Sequence, residues 1–190
     1  MAHLRKTALT LLVLILSVTL AHDVSARKRG IKGQQAPTWE GIQTWFQLPD
    51  GQRTLDVTDL KGKVVFVLTF QSWCPGCHSR GFPTLQAVKQ HFKGRDDVAF
   101  VAMQTVFEGF SSNTEKKALE TVRSYGLDIP TAHDPGPRNQ GSVVMRRYRS
   151  GGTPWIIIID PGGVVRFNGF HIPASKAIPM VEGLLSRELR

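Results

Sequence analysis

The sequence predicts an α/β sandwich whose mixed central sheet is flanked by helices. Three observations carry that prediction. Val64-Val65-Phe66-Val67-Leu68-Thr69-Phe70 is an apolar, β-branched and aromatic run of the kind that forms a buried strand. Trp155-Ile156-Ile157-Ile158-Ile159 is a second such run, and Asp160-Pro161-Gly162-Gly163 turns it directly into Val164 to Phe170. Between the two runs apolar residues recur at helical spacing, so strands and helices alternate as they do in layered α/β folds.

Taken in order, residues 27–40 read as a flexible basic lead and residues 41–190 as one domain. Thr44 to Leu48 and Arg53 to Leu55 flank Pro49-Asp50-Gly51, which predicts an N-terminal β-hairpin. Lys61-Gly62-Lys63 is a turn into the first buried strand. Leu85, Val88 and Phe92 share a helical face, and Gly94 ends that segment. Val98 to Val101 continues as a second buried strand. Ser112-Asn113-Thr114-Glu115 reads as a capping box, opening a helix that carries Ala118, Val122 and Tyr125 and closes at Gly126. Ile129 begins a short strand, a Pro- and Gly-rich loop spans 134–141, and Val143, Val144 and Tyr148 mark a further helix. The last 15 or so residues read as a terminal helix.

Residues 1–26 have the form of an export signal. Arg5 and Lys6 supply a basic start, Ala8 to Leu20 is an apolar run of 13 residues, and Val24-Ser25-Ala26 offers small residues for cleavage. That run is short for a membrane span, which needs about 20 residues; an uncleaved anchor is the alternative. The chain is strongly basic, with 24 Lys and Arg against 15 Asp and Glu, a net charge of +9. Part of the excess is local. Arg27-Lys28-Arg29 with Lys32 forms a basic arm, and Arg146, Arg147 and Arg149 form a second cluster. The arm suits contact with an anionic membrane surface or an acidic partner. Nucleic acid is not expected as a partner of an exported protein.

Both cysteines lie in Ser72-Trp73-Cys74-Pro75-Gly76-Cys77-His78, directly after the first buried strand. A disulfide framework would need more cysteines, spread along the chain. A close pair leaving a strand and entering a helix can instead cycle between dithiol and disulfide. At a helix N-terminus, free N–H groups and the helix dipole stabilise a thiolate and lower the pKa of Cys74, the candidate nucleophile. Cys77, one turn inside, is the candidate resolving thiol. Pro75 suits the first helical turn, and Gly76 leaves room for a partner backbone. His78 reads as a solvent-facing neighbour that lowers the Cys74 pKa, and His133 and His171 as structural or exposed. Cys74-Pro75-Gly76-Cys77-His78 also matches the haem c attachment pattern. Against that reading, the motif follows a buried strand rather than a polar loop.

The strand, Trp73-Cys74-Pro75-Gly76-Cys77, the helix, and Thr153-Pro154 ahead of a later strand together resemble the thioredoxin superfamily. The export signal and the segment 105–126 bring the resemblance closer to exported TlpA/ResA/DsbE-like thiol-disulfide oxidoreductases. It covers roughly residues 36–188 and implies a thioredoxin-like three-layer sandwich. It implies a cis peptide before Pro154, with Thr153 offering main-chain groups to an extended substrate. Trp73 and Trp155 would supply apolar contact beside it. It also implies a protein disulfide as substrate (apocytochrome c among them), a membrane-bound electron donor, a periplasmic or other extracytoplasmic location, and no cofactor.

Two positions depart from the family pattern. The acid often found three residues after the second cysteine is replaced by Arg80, with Glu108 the nearest alternative along the chain. The helix-kinking proline falls at Pro83, six residues after Cys77 rather than five, with Gly81 between, so the helix has room for an extra residue. Two competing functions stay open. One is a copper metallochaperone, with both thiolates and His78 or His171 as Cu(I) ligands. The other is a peroxiredoxin-type thiol peroxidase, whose nucleophile follows a Thr or Ser three positions earlier; Gln71 stands there.

Overall fold

The computed structural model describes residues 29–188. The expected export signal at 1–26 and the first residues of the basic arm lie outside them. Among the described residues six strands form one sheet: β1 (Thr44–Phe46), β2 (Val64–Phe70), β3 (Val98–Thr105), β4 (Thr131–Asp134), β5 (Trp155–Ile159) and β6 (Val165–Gly169). Their spatial order is β1-β4-β3-β2-β5-β6. β2, β3 and β4 run parallel, while β5 is antiparallel to β2, β6 to β5 and β1 to β4. This is the mixed sheet and thioredoxin-like fold that the sequence predicts.

Every residue of β2 is buried, because the strand is central and covered on both faces. Val64, Phe66, Leu68 and Phe70 point one way, into a core shared with Phe82, Leu85 and Val88 of helix α1 (Phe82–His91), Val122 of α2 (Glu115–Ser124), and Ala177 and Val181 of α4 (Ala174–Glu188). Val65 and Val67 point the other way, with Ile157 and Ile159, toward Val144 of the short helix α3 (Val143–Arg147). The four isoleucines of β5 divide in the same alternation. The result is three layers, with α1, α2 and α4 on one face and α3 with the N-terminal segment on the other.

That N-terminal segment departs from the flexible lead expected at 27–40. From Gly30 onward it is fastened to the sheet. Gly30 N donates to Arg149 O (3.0 Å), Gly33 N to Val165 O (2.8 Å) and Ala36 N to Gly163 O (2.8 Å). Ile31 and Trp39 are buried in the second core. The Trp39 indole donates to Tyr148 Oη (3.1 Å), whose own hydroxyl donates to Pro37 O (2.7 Å). Two large apolar side chains, hidden in a basic and glycine-rich context, outweigh the local composition.

The expected hairpin is also absent. β1 pairs with β4, through Thr44 opposite His133 and Phe46 opposite Thr131. Gln47 then adopts φ 55°, which swings the chain off the strand, and its side chain donates to Ile129 O (2.8 Å) and Leu127 O (3.3 Å). The Pro49-Asp50-Gly51 turn does form, closed by Gln52 N to Pro49 O (3.1 Å), but Leu55 beyond it enters the core rather than a ladder. An exposed edge on β4 is a stronger claim on β1 than a two-stranded ribbon would be. The cap of α2 shifts as well: Thr114, not Ser112, is the N-cap and accepts from Lys117 N (3.3 Å).

Because the lead is anchored through Trp39, Trp39→Ala is expected to cost about 3–5 kcal/mol of stability. Urea unfolding measures it. A cost below about 1 kcal/mol would show that the segment is not part of the folded unit.

Candidate active site

The site forms where β2 ends. Gln71 O accepts from Cys74 N (3.1 Å), closing a turn, and the chain becomes helical at Pro75. Pro75 takes the first position, where its missing N–H costs nothing. Cys74 thus stands at the helix N-terminus with its sulfur accepting from Cys77 N (3.2 Å). Both cysteines are free thiols. Cys74 keeps 6% of its surface exposed and Cys77 keeps none, so only one sulfur of the pair can be reached from outside. The same burial sets the haem c reading aside: Cys77 has no surface on which to take a haem vinyl group.

The helix does not continue regularly. Residues Cys77–Gly81 form a π-turn, with Phe82 N donating to Cys77 O across five residues. This is the extra residue that the late proline implied. A proline ring clashes with the carbonyl four residues before it, and a widened turn relieves that clash. The π-turn also aims Gly81 at the cis-proline: a Cβ on Gly81 would lie 3.0 Å from Pro154 Cβ and 3.1 Å from Leu68 Cδ1. One on Gly76 would lie 3.1 Å from Pro154 Cδ. Gly76 therefore makes room for this chain's own Pro154, where a partner's backbone was expected.

Thr153-Pro154 is a cis peptide, as the resemblance implies. Its position follows from sheet register. Thr69 lies opposite Trp155, so the residues just after β2 meet those just before β5. The Thr153 carbonyl accepts from Cys74 Sγ at 3.5 Å. Trp73 is 47% exposed beside the sulfur pair, whereas Trp155 is buried against Phe170 and donates to Asn168 Oδ1. Of the two tryptophans expected to touch substrate, only Trp73 is available.

His78 is held rather than solvent-facing. Its Nε2 donates to Ser72 O (2.7 Å), a carbonyl that can only accept, which leaves Nδ1 to accept from Tyr125 Oη (2.7 Å). The ring also stacks on Tyr125. With both nitrogens engaged, His78 is not available as a copper ligand. Burial, and the Cys77 charge, push the Tyr125 hydroxyl up. Glu108 is exposed and meets the site region only through its carbonyl, which accepts from Asn113 Nδ2 (3.3 Å). His133 is buried in β4, where desolvation holds its pKa down. His171 is half-buried, its pKa lowered by desolvation and then by Arg80.

Beneath the motif lies a polar cluster that sequence reasoning missed. Asn113 accepts from Ser72 N (2.9 Å) and donates to Gln71 Oε1 (3.0 Å). With its amide nitrogen toward β4, Gln104 donates to His133 Nδ1 (2.6 Å) and accepts from Ser72 Oγ (2.6 Å). The signal was present, since Gln71 and Gln104 each end an apolar run, but their meeting point was not.

A thioredoxin-like protein is defined by these parts: a mixed sheet, a two-cysteine turn after its central strand, and a cis-proline packed on that turn. The chain belongs to the AhpC/TSA family, whose sequence model matches residues 33–168. It is 30% identical over 166 residues to the thiol-disulfide oxidoreductase ResA of Bacillus subtilis (strain 168), covering 85% of this chain and 80% of that protein. Among solved structures, a thiol-disulfide isomerase from Corynebacterium glutamicum superposes with a TM-score of 0.66 at 32% identity, over 80% of this chain and 97% of the other. A thioredoxin-like superfamily protein superposes with a TM-score of 0.71 at 31% identity, over 80% and 96%. The protein is a thiol-disulfide oxidoreductase of the ResA type.

Two measurements test this geometry. Gly81→Ala must push apart the π-turn, Leu68 and Pro154, and is expected to cost about 1–3 kcal/mol in thermal or urea unfolding; an unchanged midpoint would show that the contact is slack. The second concerns Cys77, whose thiol is pushed from 9.0 up to about 12, first by burial and then by its hydrogen bond with Cys74. A group that holds its proton more tightly when folded stabilises the fold below its unfolded pKa, and that contribution fades as pH rises toward the folded value. The reduced protein should therefore lose stability between pH 9.0 and about 12, and Cys77→Ser should flatten that part of the profile. Equal slopes for the two proteins in reductant would refute the assignment.

Proposed function

We propose that the protein is an exported reductant of protein disulfides, with Cys74 as the attacking and Cys77 as the resolving thiol. One observation carries the reading: Cys74 Sγ lies between the Cys77 N–H at 3.2 Å and the Thr153 carbonyl at 3.5 Å, with its partner thiol buried behind it. A negative sulfur at Cys74 is met by that N–H and by the helix N-terminus. Export rests on the signal-like residues 1–26.

The exchange balances in two steps. The Cys74 thiolate attacks one sulfur of the substrate disulfide, forming a mixed disulfide and releasing the other sulfur as a thiolate that takes up a proton. Cys77 then gives up its proton and attacks Cys74 Sγ, which forms the internal disulfide and releases the second substrate thiol. Two electrons and two protons pass to the substrate. The buried Cys77 thiol keeps its proton until the mixed disulfide forms, so resolution follows attack. A membrane-bound dithiol donor restores the pair. Cysteine pairs of apocytochrome c are the substrate that the family resemblance favours.

Cys77→Ser should accumulate mixed disulfides with partner proteins, because the attack proceeds and the release does not. Non-reducing gels and mass spectrometry detect them. Partners trapped by Cys74→Ser in place of Cys77→Ser would reverse the two roles.

A further inference from the structure

A cleft of about 920 Å³ opens between the loop after β3 and helix α3 with its flanking loops. Arg29, Arg146 and Arg149 line it together with Phe107, Met145 and Ser150, and no carboxylate is among the lining residues. Outside the cleft Arg95 pairs with Asp97 and Arg166 with Asp160, while other arginines such as Arg147, bonded to the Thr38 and Glu40 carbonyls, stand alone without converging on a cavity. Among the described residues the three cleft arginines have no ion-pair partner. Two of them are held in place by uncharged neighbours. The Arg146 guanidinium donates to the carbonyls of Gln140 (3.4 Å) and Gly141. That of Arg29 lies 5.9 Å over the Phe170 ring and against Gly151. Ser150 Oγ is buried at the cleft wall and has no hydrogen-bond partner among the described residues. Two of the three positive charges are thus held by uncharged groups.

The cleft wall at Ser150 is a short stretch of chain from the reactive sulfur. Ser150 precedes Thr153 by three residues, a span of at most about 11 Å, and the Thr153 carbonyl touches Cys74 Sγ. The two large exposed apolar side chains among the described residues, Trp73 and Phe170, lie along this stretch, Trp73 beside Gly109 and Phe170 against Gly152. A chain laid along Thr153 with its disulfide on Cys74 would carry its neighbouring residues over Phe170 and into the arginines.

We propose that the cleft binds an acidic segment of the protein whose disulfide is reduced, its carboxylates pairing with Arg29, Arg146 and Arg149 a few residues from the target cysteine. The proposal rests on the reductase reading above. Guanidinium forks match carboxylates in bidentate geometry, and fixed charge at a cleft raises the encounter rate of an oppositely charged partner. The apolar walls at Phe107 and Met145 suit a polypeptide, whose backbone and side chains need both kinds of surface.

Two peptides carrying the same disulfide test it, one with Asp and Glu beside the cysteines and one with Lys. Rates are divided by that toward bis(2-hydroxyethyl) disulfide, a neutral probe too small to span the cleft. The acidic peptide should be favoured about tenfold in kcat/KM at low salt. The preference should fall to within about twofold at 0.5 M salt and in Arg146→Gln/Arg149→Asn, where Asn suits the φ of 51° at position 149. In parallel, a cysteine-free fluorescent acidic peptide should bind Cys74→Ser/Cys77→Ser, and lose about fivefold affinity when the two arginine changes are added. Equal rates for the two peptides, with no binding of the acidic one, would overturn the cleft assignment and leave the reductase reading intact. Binding without reduction of either peptide would overturn the reductase reading and leave a charge-selective cleft. Binding to phosphatidylserine vesicles but not to the acidic peptide would overturn the proposal in favour of a membrane contact.

Discussion

The pairing of β2 with β5 is the constraint on which the site depends. The strands are antiparallel, so the C-terminal end of one meets the N-terminal end of the other, and Thr69 opposite Trp155 sets the meeting point. Nothing else in the fold brings the two-cysteine turn and Thr153-Pro154 together, since 79 residues separate Cys74 from Thr153 along the chain. The register is enforced by burial. A slip of one residue would send Ile156 and Ile158 to the face that holds Trp39 and Tyr148, and Ile157 and Ile159 to the face that holds Phe82. The isoleucine run that makes β5 so evident in the sequence thereby also positions the chemistry.

Around that fixed point the site is stiffened by polar contacts that cross between elements. Asn113 ties the turn after β2 to the start of α2, and His78 ties the first helical turn to both Ser72 O and Tyr125. Each of these groups is at least partly withdrawn from water, so loss of one partner leaves another unsatisfied. The turn that carries Cys74 is thus held from below by side chains and from the side by Pro154, while Trp73 and Pro75 face outward.

The parts of this arrangement that are local in the chain were legible in the sequence. The two-cysteine turn, the flanking strand, the proline before β5 and the one-residue delay of Pro83 could each be read from neighbours a few positions away. The delay became a π-turn because the added residue had to be absorbed without moving Cys77 or α1. What could not be read depends on partners far along the chain. Gln71, Gln104, Asn113 and His133 are unremarkable polar residues until the parallel strands and α2 gather them. The N-terminal lead misled for the same reason: its glycines and charges describe a linker, whereas Ile31 and Trp39 find their burial only against β6, α3 and Tyr148. The hairpin failed because β4 offered a longer-range edge to Thr44–Phe46.

The anchored lead also decides where the molecule can be held. Gly30 is bonded to Arg149, so the polypeptide joins the domain at the arginine rim, on the side of the reactive sulfur. Helix α4 is elsewhere: His91, at the far end of the helix that starts beside Cys74, bonds to Glu182 (2.9 Å). From Pro75 to His91 that helix is about 25 Å long. A tether attached ahead of Gly30 delivers its cargo or its surface to the mouth of the cleft, while one attached beyond α4 leaves that mouth open. The two ends of the chain are therefore unequal as handles, one crowding the approach of a large partner and the other sparing it.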